Sequence, residues 1–303
     1  MSLERVLAVV GPTATGKSEL GLALAERFGG EVVNADSMQL YRGMDVGTAK
    51  LTGEHQRGVR HHLLDIWEVT ETASVAEYQR LARAAVEDIL DRGRVPVLVG
   101  GSGLYVRAVL DDMRFPGTDQ DLRAQLEADL ADLGAPALHR RLVGLDPAAA
   151  QAILPSNGRR LVRALEVIAL TGRPFTATLP APRPMYAAVQ IGLDRADLDS
   201  RIDRRVDLMW QAGLVEEVRG LVRHGLAEGR TASRALGYQQ VLDLLAGNRT
   251  EQQARQDTKQ ATRRFARRQR SWFRRDDRLV WLDAADADMV DIAARTAGHR
   301  IDR

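Results

Sequence analysis

Leu7-Ala8-Val9-Val10-Gly11-Pro12-Thr13-Ala14-Thr15-Gly16-Lys17-Ser18 joins a short apolar run to the start of an amphipathic stretch. From Gly11 onward it has the spacing G-x-x-x-x-G-K-[ST]. The apolar run reads as a buried parallel strand, Gly11 and Gly16 permit a curl with amide hydrogens turned inward, and Ser18 opens a helix whose N-terminal dipole favours an anion. The loop is a phosphate site. Lys17 supplies a point charge to a terminal phosphate, and the Ser18 hydroxyl suits an inner ligand of a magnesium ion. A glycine turn before a helix need bind nothing, but strand, helix and Lys-Ser together are far more specific than a lone glycine pattern. The motif leaves open which phosphorylated molecule binds.

The next strand reads as Glu31 to Ala35, with Asp36 at its carboxyl end. In an open parallel sheet ligands sit outside the carboxyl ends of the strands, so Asp36 shares a rim with the phosphate loop. Read locally, Asp36 equally suits a helix N-cap. The polar, irregular run from Ser37 to Lys50 looks like a binding loop, and the adjacent His61 and His62 point to opposite sides of an extended segment and read as structural. A third strand, Val95 to Val99, runs into Gly100-Gly101-Ser102-Gly103 and lacks the terminal Asp of a motor ATPase. Ser102 is thereby on the rim, and also suits a helix N-cap.

From Phe115 the pattern is all helical: Asp119 to Leu133, Pro136 to Val143, Asp146 to Leu154 and Asn157 to Leu170, closed by a proline-rich stretch. Arg159, Arg160 and Arg163 open the last of these, and alone would read as a solvated basic face. A strand at Ala187 to Leu193 resumes the core, followed by a largely helical run from Asp194 to Val222 and a helix from Ala232 to Leu245 interrupted by Gly237-Tyr238. Arg201, Arg204 and Arg205 lie on the first turns, and spacing prefers none of them as a phosphate partner. Between Lys259 and Arg275 the basic residues have no acidic neighbour in sequence; Arg263, Arg267, Arg270 and Arg274 form a stripe suited to a phosphate backbone, with Phe265, Trp272 and Phe273 expected to face the core.

The chain is therefore expected to be α/β, a P-loop NTPase-like parallel sheet flanked by helices with an all-helical insertion. Its expected parts are a core at 1–114, an insertion at 115–185, and the rest of the core at 186–303 with a basic helix at 257–275. At 303 residues it can bury a sizeable core. Absence of cysteine excludes a disulfide scaffold, a thiolate zinc site and a cysteine nucleophile. The start carries no signal pattern and no apolar run is long enough to cross a bilayer, so the protein is read as soluble, cytoplasmic and monomeric, with no membrane partner.

Several stretches together resemble the bacterial tRNA dimethylallyltransferase family, in family order over almost the whole chain. They are Gly11 to Ser18, Asp36 to Lys50, His61-His62-Leu63-Leu64-Asp65, Val99 to Tyr105, Arg160 to Glu166, Gly237-Tyr238 and Arg267 to Arg274. Thr15 stands where Ser is commoner and Ser102 where Thr is commoner, both keeping the hydroxyl. The resemblance implies transfer of a dimethylallyl group from dimethylallyl diphosphate to the exocyclic amine of adenosine-37, next to the tRNA anticodon, with no ATP consumed. Gly11, Thr13, Ala14, Thr15, Gly16, Lys17 and Ser18 would bind the diphosphate, with Mg2+ on Ser18. Lys17 and Arg201 would neutralise the leaving group, and Asp36 would take the proton of a flipped-out adenine, with Ser102 nearby. Asp36, Ser37, Met38, Gln39, Ser102, Arg123, Arg159, Arg160, Leu161, Val162 and Arg163 would contact the tRNA anticodon stem-loop, over which the insertion would close. The rivals are a small-molecule P-loop kinase, an adenylate isopentenyltransferase acting on free nucleotide, and a non-catalytic RNA-binding protein.

Overall fold

The computed structural model describes residues 5–176 and 179–301; the parts of the expected domains at 1–4, 177–178 and 302–303 lie outside them. Six strands are described: β1 (Arg5–Val10), β2 (Glu31–Asn34), β3 (His61–His62), β4 (Pro96–Gly100), β5 (Ala187–Asp194) and β6 (Val280–Asp283). They form one sheet in the order β3-β2-β4-β1-β5-β6, every neighbour parallel. Because all strands run the same way, all their carboxyl ends open on one rim. β1 alternates its apolar side chains between two cores, as the period of two requires. Val6, Ala8 and Val10 join the core that also takes residues of α2 (Val75–Asp91) and α3 (Gly103–Leu110), whereas Leu7 and Val9 pack with α1 (Lys17–Phe28). Burial on both faces is why the central strands read as unbroken apolar runs.

The chain divides into two compact units, Met1–Asp112 with Pro184–Arg303, and Met113–Arg183. The smaller holds α4 (Gln120–Leu133), α5 (Ala135–Leu145), α6 (Pro147–Ala152) and α7 (Gly158–Thr171) around its own core of Leu126, Leu138, Leu142, Ile153, Leu161 and Leu165. In the larger, α8 (Leu198–Gln211), α9 (Leu214–Val222), α10 (Tyr238–Leu245) and α11 (Glu251–Phe273) extend the first core, and α12 (Met289–Ile301) closes the second. One expected helix is shorter than the sequence pattern suggested. The segment from Asp194 breaks at Gly213, whose φ of 94° separates α8 from α9. The segment from Ala232 is interrupted at Gly237-Tyr238 as expected: a 3-10 turn at Ala232–Arg234 precedes α10, and Gly237 takes φ 88° at the junction.

At the sheet edge Glu31 is 2% exposed and receives the Arg92 guanidinium, with His62 Nε2 at 2.6 Å. His62 is thus structural, as expected. The Arg92 hydrogen bonds outweigh burial and hold the Glu31 carboxyl down to about 2. A depressed carboxyl adds stability that is present above its unfolded value near 4.5 and is lost as pH falls towards 2. Glu31→Gln should therefore lower unfolding stability by about 3 kcal/mol at pH 7. In urea titrations at pH 7, 4 and 3 the gap to the unsubstituted protein should narrow with each step down.

Candidate active site

Three loops leave the adjacent carboxyl ends of β2, β4 and β1. The loop after β1 curls tightly against β5: a Cβ on Gly11, at φ 136°, would lie 2.4 Å from the Leu193 carbonyl oxygen. Ala14 and Gly16 then adopt left-handed backbone, and Lys17 begins α1. The Ala14 side chain packs with Leu198, Ile202 and Ala266, so α8 and α11 brace the loop tip. Lys17 Nζ donates to the Pro12 carbonyl at 2.6 Å, and Thr15 Oγ1 donates to the same oxygen at 2.9 Å.

After β2, Asp36 makes a side-chain turn and caps no helix. Its Oδ1 accepts from the Met38 amide at 2.9 Å, and its own amide donates to Asn34 Oδ1. After β4, Ser102 stands at the N-terminus of α3 without capping it; its Oγ accepts from the Ser37 amide at 3.2 Å and pairs with the Ser37 hydroxyl. Ser102 therefore ties the third loop to the second. One cavity is lined by Thr13, Lys17, Ser18, Asp36, Gln39 and Arg205, with His61 also on its wall. Lys17 and Asp36 interact electrostatically across it, as do Asp36 and Arg205.

Arg201 donates through Nε to the Ala14 carbonyl at 3.1 Å, which puts it at the loop tip. Arg205, one turn further along α8, donates to the Thr48 carbonyl at 3.2 Å and enters the cavity itself. The sequence offered one signal for this, the i, i+4 spacing to Arg201. Glu217, which the sequence reading missed, accepts from the amides of Asp45, Val46 and Gly47 at 3.0, 2.6 and 3.2 Å and from the Tyr238 hydroxyl at 2.6 Å. Lys50 Nζ closes the other end of this loop on Asp45, Asp65 and the Tyr41 carbonyl. The loop from Asp36 to Lys50 is thereby bolted at both ends, with Gln39 and Arg205 meeting on the Thr48 carbonyl.

A model of the IPP transferase family matches residues 39–276. The chain belongs to that family. It is 68% identical over 292 residues to the tRNA dimethylallyltransferase of Salinispora arenicola, covering 96% of this chain and 85% of the relative. To that of Streptomyces griseus it is 64% identical over 296 residues, 97% and 95% of the two chains. The solved full-length tRNA isopentenylpyrophosphate transferase of Bacillus halodurans aligns with a TM-score of 0.71 at 41% identity, over 99% and 98% of the two chains. A eukaryotic dimethylallyltransferase solved acting on tRNA aligns with a TM-score of 0.80 at 25% identity, over 97% of this chain and 77% of that one.

In this member of the IPP transferase family, several residues expected to touch RNA have other partners. Arg163 and Arg123 both bind the buried Glu166, at 2.7 and 2.5 Å, and Arg163 also donates to the carbonyls of Pro116 and Gly117. Leu161 and Val162 are buried in the core of the helical unit, so their side chains are spent on packing. Arg159 and Arg160 are exposed on the first turn of α7. The stripe on α11 is largely ion-paired. Arg263 binds Asp203 bidentately, Arg267 binds Asp199, and Arg270 and Arg274 share Asp194, so three acids on α8 and at the end of β5 offset three of its four charges, while Arg267 and Arg274 stay mostly exposed. As expected, Phe273 is buried, while Phe265 lies under Arg268 at 5.8 Å. Arg264, Arg268 and Arg275 are exposed with no acidic partner among the described residues.

Burial lowers the Lys17 ammonium to about 7, Asp36 offsetting part of the effect and Arg205 adding to it. An anion seated in the loop favours the charged ammonium, so binding takes up a proton wherever the empty loop holds neutral lysine. Affinity for inorganic diphosphate should fall as pH rises above 7, by up to about tenfold per unit. Titration calorimetry at pH 8 in buffers of different ionisation enthalpy should detect proton uptake.

Proposed function

We propose that this chain transfers the dimethylallyl group of dimethylallyl diphosphate to the exocyclic amine of adenosine-37 in tRNA and releases diphosphate. The observation that carries this reading is that a phosphate loop and the Asp36 carboxylate line one cavity. The missing acid at the end of β4 argues against a motor-type ATPase. The names of the relatives agree with the assignment.

In the reaction, the bond between the allylic carbon and the bridging oxygen of the diphosphate breaks, and a bond from that carbon to the adenine amine forms. Lys17 and Arg201 take up the charge that accumulates on the departing diphosphate. Arg205, on the cavity wall, adds a third cation on the Asp36 side. Asp36 accepts a hydrogen bond from the exocyclic amine and then its proton. The adenine leaves its stack to reach the cavity, with Ser37, Met38, Gln39 and Ser102 around it.

The residues present suit magnesium. Among the described residues no cluster of three or more acids and histidines forms a metal cage. A single hydroxyl at Ser18, completed by diphosphate oxygens and water, is the sparse protein contribution typical of that ion. When bound, it supplies Lewis-acid charge neutralisation to the leaving group.

The tRNA takes the loop from Asp36 to Lys50, and the helical unit at 113–183 is its lid, contributing Arg159 and Arg160. Arg264 and Arg268 on α11, with Arg275 just past its end, supply phosphate contacts beside the ion-paired stripe. No helix among the described residues is long and apolar enough to cross a membrane. The enzyme works as a monomer in the cytoplasm.

Labelled dimethylallyl diphosphate offered with unmodified tRNA and magnesium, without ATP, should label the RNA, whereas AMP or ATP offered alone should stay unlabelled. ATP turnover on a small acceptor with no label in RNA would overturn the reading. Lys17→Ala and Asp36→Ala should each lower the transfer rate at least a hundredfold. An Asp36→Ala enzyme with near-full rate would remove the general base.

Replacing Arg264, Arg268 and Arg275 together by Ala should reduce the slope of log affinity for tRNA against log salt by about two to three. An unchanged slope would take this row out of the RNA footprint.

A further inference from the structure

Gln269 is 6% exposed, and both ends of its amide are used. Oε1 accepts from the Thr13 amide at 2.9 Å, and Nε2 donates to the Gly101 carbonyl at 2.9 Å. An amide N–H can only donate and a carbonyl can only accept, so these partners fix which end of the side chain is which. The contacts reach 256 and 168 residues back along the chain, to the loops after β1 and β4.

The surrounding sequence makes room for this one side chain. A Cβ on Gly101 would lie 2.3 Å from Gln269 Nε2, and a Cβ on Gly103 would lie 2.1 Å from the Trp272 ring. Gln269 and Trp272, three apart on α11, thus fill two notches that the glycines leave open. The turn from Gly100 to Gly103 is moulded to α11.

The Pro12–Thr13 peptide is the part of the phosphate loop that Gln269 grips. Its N–H goes to Gln269, while its carbonyl, on the opposite edge of the same rigid plane, receives Lys17 Nζ and Thr15 Oγ1. Fixing one edge of a planar unit fixes the other. Thr13 consequently contributes its position to the anion cradle and not this amide hydrogen.

We propose that Gln269 is a positioning residue of the phosphate loop, holding the Pro12–Thr13 peptide so that Lys17 is presented to the diphosphate. This rests on the reading of the loop as the diphosphate site. Gln269 touches neither substrate in this scheme; it acts through the backbone of the loop.

The test is calorimetric binding of magnesium diphosphate to the full chain and to two variants, with steady-state kinetics and tRNA affinity measured in parallel. Gln269→Met keeps the volume and removes both hydrogen bonds. Gly101→Ala leaves Gln269 in place but displaces its amide from the other side, so it tests the same contact if the first variant fails to fold. Each folded variant should bind magnesium diphosphate about tenfold more weakly and show a raised KM for dimethylallyl diphosphate. Its tRNA affinity should stay within about twofold. A residue that merely stabilised the fold would not split the two substrates in this way. A folded variant of either kind with unchanged diphosphate affinity and KM overturns the proposal. Failure of the unsubstituted protein to bind magnesium diphosphate would overturn the underlying reading of the loop, and the assignment of Gln269 with it.

Discussion

Asp36 and Lys17 face one cavity because β4 alone separates the strands that carry them. Parallel strands lie a little under 5 Å apart, so the loops after β2 and β1 stand about 10 Å apart at their roots and lean towards one cavity. Every other feature of the site serves that spacing. The Ser102 hydroxyl ties the third loop to the second, Gln269 ties it to the first, and α8 brings two arginines to the open side. A site made of three loops on one rim has little freedom once the sheet order is set, which is why the chemistry sits on short loops with many side-chain to backbone bonds.

Much of this was legible in the chain before any coordinates. The phosphate loop announces itself because its spacing, its preceding apolar run and its following helix are mutually consistent. The central strands read clearly since they are buried on both faces and need no alternation. The four helices of the smaller unit were visible from their periodic pattern, and three of them start at side-chain caps, Asp119, Asp146 and Asn157 each accepting an amide of the following turn. By contrast, Glu217 and Gln269 carry no local signature. Their partners lie tens to hundreds of residues away, and only the tertiary fold brings them together. Gln269 left one trace, an amide at an otherwise inward helix position between Ala266 and Phe273.

Counting charge along the sequence misled for a physical reason. The arginines from Arg263 onward have no acidic neighbour on their own helix, but α8 packs against that face with Asp199, Asp203 and Asp207 at helical spacing. The two helices form an ion-paired seam, and Arg264 and Arg268, one face further round, lie outside it. The same holds in the smaller unit, where the fully buried Glu166 takes up Arg123 and Arg163. A basic cluster in sequence is a supply of cations, and packing decides how many are left to bind anything else.

The grip of Glu217 and Tyr238 on the loop from Asp45 to Gly47 also bears on how the protein acquires its site. The bonds from Glu217 to that loop span at least 170 residues, and a Cβ at Gly47 would meet the Tyr238 ring at 2.4 Å. The acceptor loop therefore has no template until the last third of the chain exists. On the ribosome, strands β1, β2 and β4 emerge and can pair first, while the loop that holds Asp36 takes its final shape only after α9 and α10 have been made. Catalytic competence is then a late event in the life of each chain, and a truncated product that still forms most of the sheet would be inert.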